Sequence, residues 1–174
     1  MFALSPDMPL ATLTDREARV AGHDALEVRL WLRLVSCVDL IERELRQRLA
    51  KCGVSLARFE VMGHLDRFTE GLSMGELSER LMVSKGNVSA LFARMEREGL
   101  LDRMTHSEDR RIQIMRLSKR GKTLFDSAKP IHHEVLRALM ADVSRTELAA
   151  LRDRLSVLKA SAAGHKPGRK SRRG

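Results

Sequence analysis

Apolar residues in the first third of the chain recur with the period of an α-helix. From Ala25 they appear every three or four residues, and arginine and glutamate occupy many of the positions between them. The apolar positions are Leu30, Leu34, Val38, Ile41, Leu45 and Leu49. This spacing predicts one long amphipathic helix. Gly53 stands where a helix-terminating glycine is expected, and Ser55 can cap a second helix.

The middle of the chain predicts two short helices and then a change of period. Ser73 and Glu76 have the capping-box spacing and mark the start of a third helix, which ends near Leu81. A fourth helix is predicted from Ser84 to Gly99. Beyond it, "LLDRM" and "IQIMRL" are short apolar stretches separated by the polar "THSEDRR". This arrangement indicates a two-stranded hairpin.

Two more helices are predicted after the hairpin. Ser118 begins the fifth, and Ser144 with Glu147 forms a second capping box at the start of the sixth. In the sixth helix, four leucines are spaced 3-4-3, which is typical of a seam for a partner helix. These leucines are Leu148, Leu151, Leu155 and Leu158.

The order of elements predicts a fold class: helix, turn, helix and hairpin is the order of a winged helix-turn-helix. We therefore expect a mainly α protein with a small β-hairpin wing, flanked by long dimerisation helices. The expected parts are an N-terminal segment (1–24), a helical dimerisation region (25–54 and 118–163), a winged helix-turn-helix DNA-binding domain (55–117) and a basic disordered tail (164–174).

The fourth helix has one apolar face and one face of short polar and basic groups. Val88, Leu91, Phe92 and Met95 form the apolar face. Short side chains on the other face would let the backbone approach the DNA major groove, where polar groups can reach phosphates and base edges. The candidate contacts are Ser84, Lys85, Asn87, Ser89 and Arg94. The alternative is a surface helix with an ordinary polar face.

The hairpin tip, "SEDRR", places Asp109 beside Arg110 and Arg111. An arginine on a protruding loop can enter the minor groove, whose negative potential attracts it. Asp109 could fix the direction of a neighbouring arginine by a charge-assisted hydrogen bond. The alternative is a solvated turn with an incidental ion pair.

The charge of the chain supports a polyanionic partner. The formal net charge is +9, and five of these charges come from the last eleven residues, which contain no acid. That tail could hold phosphates or only aid solubility. Aromatic residues are 3% of the chain and tyrosine is absent, which argues against a stacking platform for single-stranded nucleic acid.

Other classes of protein find little support in the sequence. There is no nucleophile elbow, phosphate loop or metal motif, and His132 and His133 point about 100° apart on a helix, which makes them poor co-ligands. We therefore expect no enzyme, no cofactor and no metal. The first residues lack the features of a signal peptide, and no apolar stretch approaches the roughly 18 residues of a membrane span. A cytoplasmic protein is expected.

The two cysteines, Cys37 and Cys52, are predicted on one helix fifteen positions apart. That separation is roughly 22 Å, too far for a disulfide within the chain. Cys37 lies beside the apolar stripe, so we expect a buried, inert thiol.

The middle of the sequence resembles a known family. "GLSMGELSERLMVSKGNVSALFARMEREGLLDRMTHSEDRRIQIMRLSKRG" is similar to the core of the MarR family of bacterial transcriptional regulators, with "DRRIQIMRLSKRG" as the most specific piece. The resemblance extends over about residues 25 to 163. It implies a homodimer that presents two winged domains to double-stranded DNA at a palindromic operator. It also implies that Arg110 enters the minor groove and that the segment 84–89 reads bases.

A narrower resemblance concerns the effector. "LWLRLVSCVDLIERELRQRL", "LARFEVMGHLDR", "MVSKGNVS" and "HHE" are similar to repressors of aromatic-acid catabolism that sense hydroxycinnamoyl-CoA thioesters. This implies an aromatic acyl-CoA effector, an apolar slot for its aryl group and cations for its phosphates. The slot candidates are Trp31, Leu34, Phe59, Met62 and His133, and the cation candidates are Arg29, Arg33 and Arg58. The alternative for each is plain core or a solvated helix face.

Two other functions fit parts of the sequence. Some members of the family sense oxidants through a thiol, and Cys37 would be the sensor here. A sequence-indifferent architectural DNA binder would explain the basic tail, although the short-chained face of the fourth helix favours specific recognition.

Overall fold

The computed structural model describes residues 25–81, 85–105 and 111–165, without the side chains of 85–88. Ser84, Asp109 and Arg110, the segment 1–24 and most of the basic tail lie outside the described residues. The elements are α1 (Leu26–Ala50), α2 (Leu56–Arg67), β1 (Leu72–Ser73), α3 (Met74–Leu81), α4 (Lys85–Arg97), β2 (Leu101–Thr105), β3 (Gln113–Leu117), α5 (Lys119–Leu139) and α6 (Arg145–Gly164). The chain divides into two compact units, a first unit up to Leu136 and a second from Arg137.

Local side-chain caps set the start of three predicted helices. The Ser73 backbone N–H donates to the Glu76 carboxylate at 2.8 Å, and the Glu76 N–H donates to Ser73 Oγ at 3.3 Å. Ser144 and Glu147 make the same reciprocal pair at the start of α6. Ser118 Oγ accepts from the backbone N–H of the third residue of α5 at 2.9 Å. These bonds satisfy N–H groups that the first turn of a helix leaves unpaired, and the predicted starts are confirmed.

The wing contains one strand more than predicted. The hairpin of β2 and β3 is confirmed, in antiparallel register from Leu101 opposite Leu117 to Thr105 opposite Gln113. The two residues of β1 pair with the far edge of β3, which gives a sheet in the order β1-β3-β2. Two residues are too few to show a strand period, and the capping box that follows them indicates only a helix start. The sequence therefore could not separate β1 from the loop.

Gly71 fits the close approach of the chain to β3 just before β1. Its φ of +89° is in the left-handed region, and a Cβ there would lie 2.7 Å from the carbonyl oxygen of Met115. A side chain at this position is excluded by both conformation and space.

The core of the first unit draws on α1 to α5 and on the sheet. Its fully buried large side chains are Leu49, Val54, Val61, Met62, Leu65, Leu77, Phe92, Met95 and Met115. Phe92 and Met95 have no exposed surface and Leu91 packs beside them, so the predicted apolar face of α4 is confirmed at these positions. Burial of each such side chain contributes about 1.5–3 kcal/mol, which holds α4 in one rotational setting.

Large apolar side chains remain exposed on α1 and, in the second unit, on α6. Only Leu45 and Leu49 of α1 are buried, whereas Trp31 is 64% exposed. No residue of α6 is buried, and Leu151 is 53% exposed.

The Cys37 thiol is exposed too, so the expectation of a buried thiol is wrong for the single chain. Position beside an apolar stripe does not ensure burial where nothing covers that face of the helix. Among the described residues, no helix has the length and apolar character of a membrane span.

Candidate nucleic-acid interface

The outer face of α4 is a surface of short groups beside arginines. Ser89, Ala90, Ala93, Arg94 and Arg97 are all exposed on it. Because the opposite face is locked into the core, this surface is fixed relative to the rest of the first unit. Of the other predicted contacts, Lys85 and Asn87 lie on the backbone of α4 without described side chains, and Ser84 lies outside the described residues. The arrangement suits a helix that enters a groove of a duplex.

Arg94 is part of an ion-pair cluster at the end of α4. Its Nε donates to Glu98 Oε1 at 3.1 Å, and the same oxygen accepts a 2.5 Å hydrogen bond from Arg58 Nη2 of α2. Hydrogen bonds from Arg58 and then from Arg94 hold the pKa of Glu98 below its ordinary value. Arg94 is nevertheless 68% exposed, so it remains accessible to a phosphate while tied to Glu98. We call these three residues the Arg58–Glu98–Arg94 triad.

Two further arginines tie the wing strands to neighbouring segments, Arg103 to α4 and Arg116 to the loop before β1. Arg103 of β2 makes a two-pronged contact with Glu96 of α4, with Nε to Oε1 at 3.0 Å and Nη2 to Oε2 at 2.7 Å. Arg116 of β3 donates to the carbonyl and carboxylate oxygens of Glu70 at 2.8 and 2.9 Å. A planar guanidinium that makes two bonds fixes direction as well as distance. The wing and α4 are thereby set at a defined angle to each other.

Sequence reasoning missed these anchoring residues. Glu70 and Arg116 are 46 positions apart, so no local pattern connects them. Glu96 and Arg103 are seven apart across the turn into β2, and opposite charges flanking that turn were a signal that could have been used. Of the predicted wing residues, Arg111 is exposed at the approach to β3, whereas Asp109 and Arg110 lie outside the described residues.

The predicted effector residues occupy different environments. Phe59 and Met62 belong to the core, and the Phe59 ring stacks on His132 with ring centroids 4.5 Å apart. The Arg58 side chain is 13% exposed and engaged with Glu98. The remaining candidates lie towards the surface: Arg29, Trp31, Arg33 and His133 are exposed and Leu34 is partly buried. In the single chain, Phe59 and Met62 serve packing, which agrees with the alternative of plain core.

The part of the chain that the structure describes holds no group of three or more histidine, cysteine or acidic side chains that could bind a metal ion. The helix α4 is packed on the core and exposes a face that suits a DNA groove, and a β-hairpin wing lies beside it. This combination defines a winged helix-turn-helix DNA-binding protein.

Comparison with known proteins gives the family. A family model described as "MarR family" matches residues 53–112. The crystal structure of a MarR family transcriptional regulator from Silicibacter pomeroyi is 31% identical and superposes with a TM-score of 0.66, covering 78% of this chain and 94% of that one. The chain belongs to the MarR family and is a DNA-binding transcriptional regulator. It is accordingly not an enzyme, because the relatives it matches are regulators of transcription.

Two further relatives carry descriptions of function. The transcriptional activatory protein BadR of Rhodopseudomonas palustris is 30% identical over 116 residues, which are 62% of this chain and 66% of BadR. The organohalide-sensing regulator RdhR, in its 2,4-dichlorophenol-bound form, is 25% identical with a TM-score of 0.70, covering 80% of this chain and 82% of that one.

Proposed function

We propose that the chain acts as a homodimer on a palindromic operator and represses transcription until a small-molecule effector releases it. The observation that carries this proposal is the setting of α4, with Phe92 and Met95 fully buried and a short-chained outer face exposed. In a twofold dimer, two such helices would meet successive major grooves about 34 Å apart. The segment 84–89 would read bases, and Arg110 would enter the minor groove.

Selection of bound duplexes from a random pool tests the DNA part of the proposal. We expect an inverted repeat with half-sites roughly ten base pairs apart. Binding to this duplex should survive competition by unrelated DNA with a preference of roughly 10³-fold or more. Recovery of no common sequence would favour a sequence-indifferent binder instead.

The exposed apolar faces support the homodimer. Leu151, Leu155 and Leu158 are 53%, 36% and 41% exposed on one stripe of α6. A repeated apolar stripe of this kind is typical of a seam for a partner helix. The double substitution Leu151→Glu, Leu155→Glu should give a monomer in analytical ultracentrifugation and weaken operator binding. Ser156→Glu, which adds one negative charge to α6 away from the leucine stripe, should leave the dimer intact. A dimer that persists in the double variant would contradict the proposed interface.

An aromatic acyl-CoA thioester is the proposed effector. Support comes from the resemblance to the hydroxycinnamoyl-CoA-responsive repressors and from RdhR, a relative described with a bound phenol. Such a ligand would bind a dimer conformation whose helix spacing does not fit the operator, and its preference for that conformation would set the loss of DNA binding. Fluorescence anisotropy with the selected duplex should show release by p-coumaroyl-CoA and not by p-coumarate. Equal potency of the two would remove the thioester from the proposal.

The sign of regulation and the location are also proposals. If the protein is a repressor, deletion of its gene should raise transcription of the genes it controls. If it is an activator, as BadR is described, the same deletion should lower their transcription. We propose a cytoplasmic location, where chromosomal operators are found.

Oxidant sensing is a second candidate, favoured by the exposure of Cys37. An accessible thiol can be oxidised, and oxidation on α1 would disturb a helix that we place in the dimer. Under this alternative, peroxide abolishes operator binding and Cys37→Ser prevents the loss. Operator binding that survives peroxide in the wild-type protein would exclude it.

A further inference from the structure

A groove of about 540 Å³ lies in the first unit, where the turn between α4 and β2 meets the starts of α2 and α5. Its lining residues are Gly53, Arg58, Glu98, Leu100, Arg120, Thr123, Leu124 and Ser127. The size falls within the range of sites for small organic ligands, roughly 300–1,000 Å³. Of the predicted effector residues, only Arg58 lies in this groove.

The charged groups of the groove favour an anion. Arg58 and Arg120 outnumber Glu98, so the three together carry a net positive charge. Arg120 meets no carboxylate in the described part of the chain, and its Nη1 lies 4.0 Å from where a Cβ on Gly99 would stand. This guanidinium therefore lies beside the turn that carries Glu98. It offers five N–H donors in a planar fork that matches carboxylate and phosphate oxygens.

The remaining lining adds an apolar surface and few competing donors. Leu100 and Leu124 supply apolar surface. Thr123 Oγ1 and Ser127 Oγ donate to carbonyl oxygens of their own helix at 3.1 and 2.8 Å. The arginines are therefore the principal donors that face the groove. A small molecule with an anionic group on an apolar body would satisfy both parts of this lining.

The groove is mechanically connected to α4. Glu98 directly follows the last residue of α4, and it pairs with Arg58 in the groove lining and with Arg94 on the outer face of the helix. The turn is fixed on α5 as well, because Ser118 Oγ donates to the Gly99 carbonyl at 2.7 Å. An anion that takes the Arg58 guanidinium competes with Glu98 for it. Ligand binding would therefore exchange the observed arrangement, closed by Glu98, for one in which the ligand holds Arg58.

We propose that this groove binds the anionic group of the effector, a carboxylate or phosphate on an apolar body, and that the Arg58–Glu98–Arg94 triad transmits its binding to α4. The closed triad holds the end of α4 in the setting that binds DNA, and the ligand-bound groove releases it. Reciprocity of coupling requires that operator DNA weaken ligand binding by the factor by which the ligand weakens DNA binding. The inference rests on the proposed release by an effector and gives that effector a site.

Isothermal titration of the DNA-free, full-length protein tests the site with three probes: p-coumaroyl-CoA, p-coumarate for a carboxylate alone, and CoA for phosphates alone. For each probe that binds the wild type, we expect Arg120→Gln to lower the affinity at least tenfold. Arg46→Gln removes an exposed arginine outside the groove, which is ion-paired to Glu42 within α1, and should change the affinity less than twofold. Thermal melts would check that both variants fold. Unchanged affinity in Arg120→Gln, or no binding of any probe to the wild type, would overturn the site.

Glu98→Gln tests the transmission. Loss of the carboxylate frees Arg58, so the same probes should bind at least threefold more tightly. Without ligand, the operator affinity of this variant should be lower than that of the wild type. Adding ligand should then lower the operator affinity by a smaller factor than it does in the wild type. Wild-type operator affinity with a full ligand response in Glu98→Gln would overturn the coupling.

The outcomes also separate this inference from the proposed function. If p-coumaroyl-CoA releases the operator from Arg120→Gln as it does from the wild type, ligand-responsive regulation stands and the site lies elsewhere. If the ligand binds the wild type through Arg120 while the operator stays bound, the groove stands and the proposed release is wrong.

Discussion

Two glycines inside helices are predicted to respond in opposite ways to the same substitution. Gly63 is in the middle of α2, where an added Cβ would lie 3.5 Å from the Phe125 ring, an ordinary van der Waals distance. Gly121 is in the first turn of α5, where an added Cβ would lie 2.1 Å from the Leu100 carbonyl oxygen and 2.8 Å from Leu117 Cδ1. The first site has room for a methyl group and the second does not.

The magnitudes follow from these distances. Gly→Ala in an unstrained helix stabilises a protein by about 0.4–1 kcal/mol, mainly because the unfolded chain loses freedom. That gain is expected for Gly63→Ala. At Gly121 the same gain is opposed by overpacking of about 1–3 kcal/mol. Since the obstacle is backbone, the α4–β2 turn must move, and loss of the bond from Ser118 to the Gly99 carbonyl costs about 1 kcal/mol more. Gly121→Ala should therefore destabilise the protein by about 1–3.6 kcal/mol.

Urea unfolding followed by far-UV circular dichroism measures both changes. Protein concentration must be held constant, because association would make the stability depend on it. The midpoint should rise for Gly63→Ala and fall for Gly121→Ala with a similar slope for both. A Gly121→Ala midpoint at or above that of the wild type would refute the close packing of α5 on the turn. A fall for Gly63→Ala would show that α2 and α5 are closer than described.

Three further predictions concern the interface and the pH dependence. Arg110→Ala should weaken binding to all duplexes, whereas Asn87→Ala should change base preference by roughly 1–3 kcal/mol; anisotropy with operator variants compares them. Arg103→Met removes both hydrogen bonds to Glu96 and should lower operator affinity severalfold, because the wing is no longer positioned against α4. Thermal melting should change little, because exposed ion pairs contribute at most about 1 kcal/mol to stability. Unchanged operator affinity would count against a positioning role for Arg103. Burial lowers the pKa of His132, so the unfolded chain takes up a proton before the folded one as pH falls through about 6.5. Thermal stability should then drop as the pH falls through about 6.5, and less steeply in His132→Gln.

Local sequence patterns predicted the helices and the wing hairpin well, because these elements depend on residues that are close to each other in the sequence. The capping boxes at Ser73 and Ser144 involve residues three positions apart, and the apolar face of α4 follows from spacing within one helix. The adjacent apolar residues Ile114 and Met115 interrupt the alternation expected of a strand. The strand β3 was nevertheless predicted, because a polar turn precedes it. The DNA contacts predicted on this basis stay predictions, because several of those side chains are not described.

The effector residues were harder to predict because composition does not distinguish a core side chain from a pocket side chain. Phe59 and Met62 have the apolar character that an aryl slot needs, and they are also what the core of the first unit is made from. Arg58 was selected as a cation for phosphates, but its ion pair with Glu98, 40 positions later, became visible only when α2 and the end of α4 were seen together.

By itself, the sequence determined which segments are helical, which face of α4 is buried and where the wing turns, since each of these depends on spacing along a few residues. Only the tertiary structure decided that β1 joins the wing, that Arg103 and Arg116 hold the strands, and that Arg120 shares a groove with the Arg58–Glu98 pair. The physical reason is distance along the chain. Contacts between residues far apart in sequence form only when packing brings their elements together, and no local pattern encodes which ones will meet.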